Sequence, residues 1–337
     1  MTETFIDDLA HFAETVGSTH LSAVIARLRA PVRVAVVGRD GVGRGSVETA
    51  LRQRGVAVVP RGPGGGAFDV GVLVIAEDAK PEDLAVARSA SRPVLVVLTK
   101  ADLAGAGPAG PIAVARSRAA AIRGRAGLPT VPMVGLLAAL GAGAHLEEDL
   151  VAGLRAFVTE PPNLTSVDDF VGGPHPVGRD VRARLLERLD RFGIAHAVLA
   201  LAGGCAPDRL PDVLSGLGNL DEAVTALQEF VAKVRYRRMR TALAEMRSLA
   251  VQSDDARLAD LLTSDPMVLA AMSAAVEVVE ADGLSVDRGD TAGAHLERAI
   301  RWRAYGRGPV NVLHRDCSSD IVRGSLRLLD RAARVSA

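Results

Sequence analysis

The sequence predicts an α/β protein in which a parallel sheet with flanking helices is followed by an all-helical bundle. Within residues 31–160, continuous apolar runs alternate with helical patterns, which is typical of parallel strands covered on both faces. Beyond residue 160, strand signals nearly vanish and helical spacing of apolar residues continues. An amphipathic segment over residues 1–30 precedes the sheet, and we expect it to pack on the bundle.

The first domain, residues 31–160, is predicted from apolar runs that each lead toward a helix. The predicted strands cover residues 32–37, 56–59, 70–76, 93–100 and 130–137. The predicted helices lie near 45–54, from Pro81 onward, around 111–125 and over 146–159. Residues 60–69, "PRGPGGGAFD", are predicted to be a loop because of their glycine and proline content.

The second domain, residues 161–337, is predicted from helical periodicity and from boundary signals such as Asp265-Pro266. The predicted helices cover 179–202, 208–217, 219–250, 256–263, 266–281, 292–304 and about 316–333. In the leading segment, a break at Gly17-Ser18 separates two apolar faces, formed by Phe5, Leu9, Phe12, Val16, Leu21, Ile25 and Leu28.

The balance of charge argues against binding to nucleic acid through an overall positive charge of the protein. The chain of 337 residues carries 40 Lys and Arg against 40 Asp and Glu, so its net charge is zero. Its two cysteines, Cys205 and Cys317, form no CxxC pair, and we expect neither a disulfide framework nor a zinc site. A signal peptide and an apolar run of about 18 residues are both missing, so we expect a cytoplasmic protein.

A glycine-rich turn follows the first predicted strand, in "VAVVGRDGVGRGSVETAL" over residues 34–51. A phosphate loop, G-x-x-x-x-G-K-[ST], cradles phosphates with backbone N–H groups at a helix N-terminus. Its lysine neutralises phosphate charge, and its hydroxyl holds Mg²⁺. Gly38 and Gly43 stand at the two glycine positions of this pattern. We therefore expect the backbone cradle to be present.

The same loop departs from the phosphate-loop pattern at its two chemical positions. Arg44 stands in place of the lysine, Gly45 in place of the hydroxyl, and Ser46 comes one residue late. A planar guanidinium does not replace a compact ammonium, and glycine offers Mg²⁺ no ligand. We expect Mg²⁺ binding to be weak or lost. The candidate phosphate-side residues are Gly38, Gly41, Gly43, Arg44, Gly45 and Ser46.

A second segment resembles the guanine-recognition motif [NT]KxD of GTPases. It is "VLVVLTKAD", residues 94–102, at the end of a predicted strand. The resemblance implies that Asp102 accepts hydrogen bonds from guanine, that Lys100 covers the base, and that Thr99 replaces the usual asparagine. In "PTVPMVGLLA", where relatives close over the base with Ser-Ala, this chain has Val134-Gly135. The resemblance implies GTP or GDP as the ligand, whereas a plain helix cap after a strand is the alternative for "TKAD" alone.

The segments with which a GTPase senses and hydrolyses its γ-phosphate are not recognisable here. A GTPase carries a switch threonine and a DxxG motif between these two sites. In this chain, about fifteen residues separate the first helix from the strand at 70–76, and they contain neither. "RGPGGGAFD" is similar to a truncated remnant of that region, and Asp69 is interpreted as structural. We therefore assign no catalytic residue and no metal ligand, and we expect little or no hydrolysis.

The helical half is similar to the helical segment of actinobacterial dynamin-like GTPases. "RARLLERLDRFGIAHAVLAL" and the long stretch around residues 219–250 carry this resemblance, which covers most of residues 1–250. The chain is thus identified as a degenerate member with a truncated P-loop GTPase-like sheet. The family resemblance implies a protein partner, either a second copy or a related intact GTPase.

Three functional interpretations remain open from the sequence. The first is a binding and regulatory protein with weak or no guanine nucleotide binding. The second is a slow GTPase completed in trans by a partner, with Arg39 and Arg44 acting on charge. The third is a structural interaction module that binds no nucleotide. A basic cluster, "KVRYRRMR" at 233–240, adds peripheral contact with the inner face of a membrane as an alternative to a solvated helix.

Overall fold

The computed structural model describes residues 2–60, 67–89, 92–141, 143, 145–253 and 255–336. The chain divides into two compact units. The sheet unit comprises residues 33–227, and the helical unit comprises residues 1–32 together with 228–337. Residues 61–66 of the predicted loop at 60–69 lie outside the described residues.

A five-stranded sheet forms the centre of the sheet unit, and all of its neighbouring strands pair in parallel. The strands are β1 (Arg33–Gly38), β2 (Ala57–Val59), β3 (Val70–Ala76), β4 (Val94–Thr99) and β5 (Thr130–Pro132). Their order across the sheet is β2-β1-β3-β4-β5. Every residue of β4 is buried, as parallel strands covered on both faces require. The predicted α/β parallel sheet with flanking helices is confirmed.

Helices connect the strands and continue after β5 within the sheet unit. They are α3 (Arg44–Gln53), α4 (Pro81–Ser89), α5 (Gly110–Ala126), α6 (Gly135–Ala138), α7 (Glu148–Thr159), α8 (Val167–Gly172), α9 (Arg179–Ala202) and α10 (Leu210–Leu217). Two short 3-10 helices, Ala101–Leu103 and Pro207–Arg209, add to these.

The helical unit is built around one aliphatic core. Its helices are α1 (Thr2–Val16), α2 (Thr19–Arg29), the greater part of α11 (Leu220–Ser253), α12 (Ala256–Thr263), α13 (Asp265–Ala281), α14 (Ala292–Arg307) and α15 (Val312–Ser336). Leu9, Leu21 and Ile25 of the leading helices join Met246 and Val278 in this core. Among the described residues, no single helix has the length and hydropathy to span a membrane, although the bent pair α12 and α13 meets both criteria together.

The boundary between the units differs from the one predicted at residue 160. Residues 161–227 lie in the sheet unit, because the helices after α7 cover the same core as α7 itself. Phe157 of α7 meets Phe170 of α8 edge-on, with ring centroids 5.8 Å apart. Leu185 and Leu189 of α9 are buried in that same cluster. Apolar contacts of this kind cannot be assigned to a partner from helical periodicity alone.

The last strand is shorter than the predicted 130–137, because the chain leaves the sheet after Pro132. The N–H of Val134 donates to the carbonyl oxygen of Gly218 at 3.1 Å instead of to a strand. The side-chain amide of Asn219 donates to the carbonyl oxygen of Pro132 at 2.8 Å. The junction between α10 and α11 is thereby held against the end of β5.

Helix α8 has no counterpart among the predicted helices, although its start has a local signal. Ser166 is its N-cap, and the Ser166 hydroxyl accepts a hydrogen bond from the N–H of Asp169 at 3.0 Å. A serine followed three residues later by an acidic residue is typical of a helix N-terminus.

We expect Gly218→Ala to destabilise the sheet unit by about 1–3 kcal/mol, because an added side chain would overpack a closed contact. A Cβ built at Gly218 would lie 2.5 Å from the backbone nitrogen of Ala138, which cannot rotate away. Urea unfolding measures the loss. Gly216→Ala is the matched control, since a Cβ there meets nothing within 4 Å. An equal effect of the two substitutions would show that the close approach at Gly218 does not matter.

Candidate functional site

The strand order creates a crevice at the carboxyl edge of the sheet, between β1 and β3. From β1 the chain passes to β2 on one side, and β3 lies on the other. In open parallel sheets, ligands bind where neighbouring connections diverge in this way. The glycine loop of residues 39–43 follows β1 at this point. The fold therefore places the predicted phosphate-side residues at the position where an α/β sheet binds ligands.

The conformation of the glycine loop depends on glycines at defined positions. Gly41 and Gly43 have φ angles of 79° and 83°, the left-handed region that other residues rarely adopt. Gly38 has a different role, because a Cβ there would lie 2.6 Å from the carbonyl oxygen of Val74 on β3. These three residues therefore allow a tight turn that passes directly over the neighbouring strand.

The loop ends at the N-terminus of α3 in the arrangement expected for an anion cradle. Gly43 is the N-cap, and it supplies no side chain to the N–H groups of the first turn. The first N–H groups of any helix lack partners within the helix, and the helix dipole makes this end positive. The backbone N–H groups of Arg44, Gly45 and Ser46 therefore remain for a phosphate or another anion.

The hydroxyl of Thr99 fastens the glycine loop to the ends of two strands. Thr99 is 2% exposed, and its Oγ1 lies 2.5 Å from the carbonyl oxygen of Val42 and 2.9 Å from that of Ile75. The hydroxyl carries one proton and donates to one of these oxygens at a time. Thr99 thus acts on the loop from beneath rather than facing outward toward a base.

Arg44 turns back onto the loop that precedes it. Its Nη1 donates to the carbonyl oxygen of Gly38 at 3.1 Å. The carboxylates of Asp40 and Glu48 lie 3.8 and 3.9 Å from the same guanidinium. The positive charge at the lysine position is therefore balanced within the loop and helix α3.

Arg39 is likewise committed to a contact within the protein. Its Nε and Nη2 donate to the two carboxylate oxygens of Asp83 at 3.1 and 3.2 Å. Asp83 is 3% exposed and also accepts from the N–H of Lys80 at 3.1 Å. The hydrogen bond to Asp83 raises the pKa of Arg39. This fork fixes the start of α4 to the glycine loop.

Gly45 and Ser46 differ in the direction that each faces. Gly45 is exposed, and a Cβ there would meet nothing within 4 Å. Ser46 is turned by about 100° on the helix, and its Cβ lies 3.4 Å from the Cβ position of Gly135 on α6. The side chain of Ser46 therefore starts beside α6, on a different face of α3 from position 45.

The "TKAD" segment leaves β4 in a tight turn. Lys100 is exposed with a φ of 54°, and the N–H of Ala101 donates to the carbonyl oxygen of Met133 at 3.3 Å. Asp102 is half-buried in the 3-10 helix that follows. Burial raises the pKa of Asp102, and the charge of Asp190 on α9 adds to this rise, against the opposing effect of Lys100. The predicted base-recognition carboxylate thus lies near a second carboxylate.

The predicted site residues separate into two groups. The glycine loop and Thr99 form one packed cluster, in which a Cβ at Gly43 would lie 3.8 Å from the Thr99 side chain. Lys100 and Asp102 form the second group, whose charged neighbour is Asp190.

Two residues that define these surroundings were not predicted. Asp83 lies in the Pro-Glu-Asp helix start, where an acidic side chain is expected, but nothing in the sequence pairs it with Arg39. Asp190, with a φ of 54° at a kink inside α9, has no sequence signal.

The basic cluster at 233–240 is largely used inside the helical unit. Lys233 pairs with Asp282 at 2.5 Å, Arg238 donates to the carbonyl oxygen of Ala30 at 2.6 Å, and Arg240 pairs with Asp316 at 3.1 Å. Arg235 and Arg237 are exposed. The cluster is therefore less basic at the surface than its sequence suggests.

Comparison of the chain with protein-family models, with curated protein sequences and with solved structures finds no match in any of the three.

We expect Thr99→Val to lower the free energy of unfolding by about 1–3 kcal/mol, because two buried carbonyl oxygens lose their shared donor. The substitution keeps the shape of the side chain, so the loss reports on the hydroxyl. Guanidinium unfolding measures it. Thr49→Val, on the exposed face of α3, is the control and should change stability by less than about 0.5 kcal/mol. If Thr99→Val left the free energy of unfolding unchanged, the stabilising role of the hydroxyl would be refuted.

We expect Asp102→Asn to stabilise the protein at pH 7. A carboxyl whose pKa is raised by folding contributes stability while protonated, and this contribution is lost as the pH rises through the folded pKa. The asparagine variant does not undergo that loss. Its greater stability relative to the parent should vanish below about pH 4, where Asp102 is protonated in both the folded and the unfolded parent. Urea unfolding at pH 7 and pH 3.5 tests this. Glu187→Gln, exposed on α9, is the control, and a variant less stable than the parent at pH 7 would contradict the expectation.

Proposed function

We propose that this protein is a binding and regulatory partner built on a degenerate GTPase-like fold. It binds guanine nucleotide weakly or not at all and hydrolyses it little or not at all. Its partner is a protein, either a second copy of this chain or an intact GTPase of the dynamin-like family that the sequence resembles. The contact of Arg44 with the carbonyl oxygen of Gly38 carries this proposal.

The retained part of the site supports descent from a nucleotide-binding fold. The glycine loop lies at the crevice between β1 and β3, and its N–H groups open at the N-terminus of α3. Gly38, Gly41 and Gly43 provide the close approach and the left-handed turns that such a loop requires. A loop used only as a connection does not need all three features together.

The lost part of the site supports weak or absent nucleotide binding. A phosphate that enters the cradle must compete with Gly38, Asp40 and Glu48 for the guanidinium of Arg44. Gly45 offers no side-chain oxygen to Mg²⁺, and a nucleoside triphosphate is normally bound with that ion. The guanidinium of Arg44 is already engaged, and position 45 has no hydroxyl for Mg²⁺. The phosphates therefore gain little binding free energy beyond what their hydration in water provides.

The guanine side of the site supports the same conclusion. A carboxylate must be ionised to accept hydrogen bonds from both guanine N–H groups. Burial and the charge of Asp190 both oppose ionisation of Asp102. Thr99, which replaces the usual asparagine of the motif that this segment resembles, donates its hydroxyl to backbone carbonyl oxygens of the glycine loop and of β3. Recognition of a base would therefore require the unfavourable ionisation of Asp102, which would weaken binding.

The alternative of a GTPase completed in trans is less well supported. It needs arginines that can move to a developing charge. Arg39 is held by both oxygens of a buried aspartate, and Arg44 is held by the loop itself. A partner would have to supply the positive charge as well as the missing hydroxyl.

The proposal is tested by calorimetric titration of the purified protein with GTP, GDP and ATP, each with and without Mg²⁺. We expect weak or no binding that does not depend on Mg²⁺. Arg44→Lys combined with Gly45→Ser restores both missing groups and should strengthen Mg²⁺-dependent GTP binding at least about tenfold, the effect of one or two charge-assisted contacts.

Arg118→Lys combined with Gly124→Ser is the matched control, since both residues lie exposed on α5. Tight, Mg²⁺-dependent binding of GTP by the unaltered protein, with steady release of phosphate, would contradict the proposal. If the restored variant binds no nucleotide either, the purely structural interpretation of the loop would be favoured.

A further inference from the structure

A surface cleft in the sheet unit lies between the outward face of α7 and the segment that leads into α10. Its volume is about 440 Å³, within the range of about 300–1,000 Å³ that is typical of small-ligand sites. Segment 207–211 contributes one wall, and α7 contributes the other together with His145 and Leu146 before it. Leu150 of α7 and Leu214 of α10 are buried in the same core, which fixes the two walls relative to each other.

The α7 wall is a strip of four residues with an opposite charge at each end. The strip consists of Glu148, Val151, Ala152 and Arg155, all of which line the cleft. Glu148 and Arg155 are seven residues apart in one helix, which places them on nearly the same face and about 10 Å apart along its axis. Val151 and Ala152 lie between them. The cleft thus offers a carboxylate and a guanidinium at its two ends, with an apolar surface in the middle.

The charges that face the cleft differ from those beside them, which are paired within the protein. Glu147 pairs with Arg188 of α9 at 3.2 Å. Asp149 pairs with Arg184 of the same helix. Within the part of the chain that the structure describes, neither charged end of the strip forms an ion pair or a side-chain hydrogen bond, and the same is true of Asp208 on the opposite wall. These charges are therefore available to a ligand.

We propose that this cleft binds a short zwitterionic peptide of about three residues. An extended chain advances about 3.3–3.6 Å per residue, so the charged termini of a tripeptide lie about 10 Å apart. The ammonium terminus pairs with Glu148, and the carboxylate terminus accepts hydrogen bonds from Arg155, whose planar donors match its two oxygens. Val151 and Pro211 contact the peptide side chains, and the charge of Asp208 disfavours ligands that are only anionic. This site is independent of the glycine loop.

The test is calorimetric titration of the full chain with the peptide Ala-Leu-Ala at pH 8, where imidazole groups carry no charge. We expect this peptide to bind more tightly than free leucine, which is too short to reach both charges, and more tightly than Ala-Ala-Leu-Ala-Ala, which is too long. N-terminal acetylation and C-terminal amidation each remove one charge. Each modification should weaken binding about tenfold, the loss expected for one charge-assisted hydrogen bond.

Two substitutions assign the two ends of the peptide. Glu148→Gln should weaken binding of the free peptide about tenfold but leave the affinity for the acetylated peptide unchanged, because the interaction is already lost there. Arg155→Gln should behave in the same way toward the amidated peptide. Glu187→Gln on α9 and Arg88→Gln on α4 replace exposed side chains of the same types outside the cleft, and both controls should bind as the parent does.

Urea unfolding gives a second readout that does not require the ligand. Because the side chains at positions 148 and 155 have no partner among the described residues, both Gln variants should keep the urea midpoint of the parent. A loss of stability that accompanies the loss of binding would show that these residues hold the fold instead, and it would overturn the proposal. Equal affinity of the parent for the free, acetylated and amidated peptides would also overturn it, as would absence of binding in both calorimetry and equilibrium dialysis.

Discussion

The hydroxyl of Thr99 is the contact on which the candidate site depends. It sits where β4 ends and joins this point to the end of β3 and to the glycine loop after β1. Three connections at the carboxyl edge of the sheet are held together by one buried donor, so the loop keeps its shape without a ligand. Such a loop is preorganised by hydrogen bonds within the protein itself.

Contacts within the protein also engage several of its arginines. Guanidinium groups that the sequence offers as free cations are bound by carbonyl oxygens or carboxylates of this chain, as at Arg39, Arg44 and Arg240. A guanidinium that is satisfied within the protein contributes to the fold and gains little from an added anion. Internal pairing, rather than the local density of Lys and Arg, therefore decides where an anion can bind.

The sequence predicted the alternation of strands and helices because a parallel sheet buried on both faces leaves continuous apolar runs. It also placed the glycine loop, since glycine has backbone freedom that a left-handed turn demands. It did not predict that 161–227 belongs with the sheet, that β5 ends at Pro132, or that Arg44 turns back to Gly38. Each of these features depends either on contacts between residues far apart in the chain or on the rotamer of one side chain. Such contacts and rotamers leave no periodic signal in the sequence.

Residue type alone was also insufficient for Thr99 and Asp102. The resemblance implies contact of both with a base, yet the Thr99 side chain is turned inward, and burial with the charge of Asp190 raises the pKa of Asp102. A four-residue pattern states which chemical groups are present, whereas the direction and the protonation of each group depend on the surrounding fold.

The most direct test of this account is amide hydrogen exchange at residues 43–46, with and without GTP and Mg²⁺. In a working phosphate loop, these N–H groups bind the phosphates and become strongly protected. The account predicts that their exchange rates change less than about twofold on addition of millimolar GTP and Mg²⁺. Protection of about tenfold or more that requires Mg²⁺ would contradict the account, because it would mean that Arg44 does not prevent tight binding of the nucleotide in the loop.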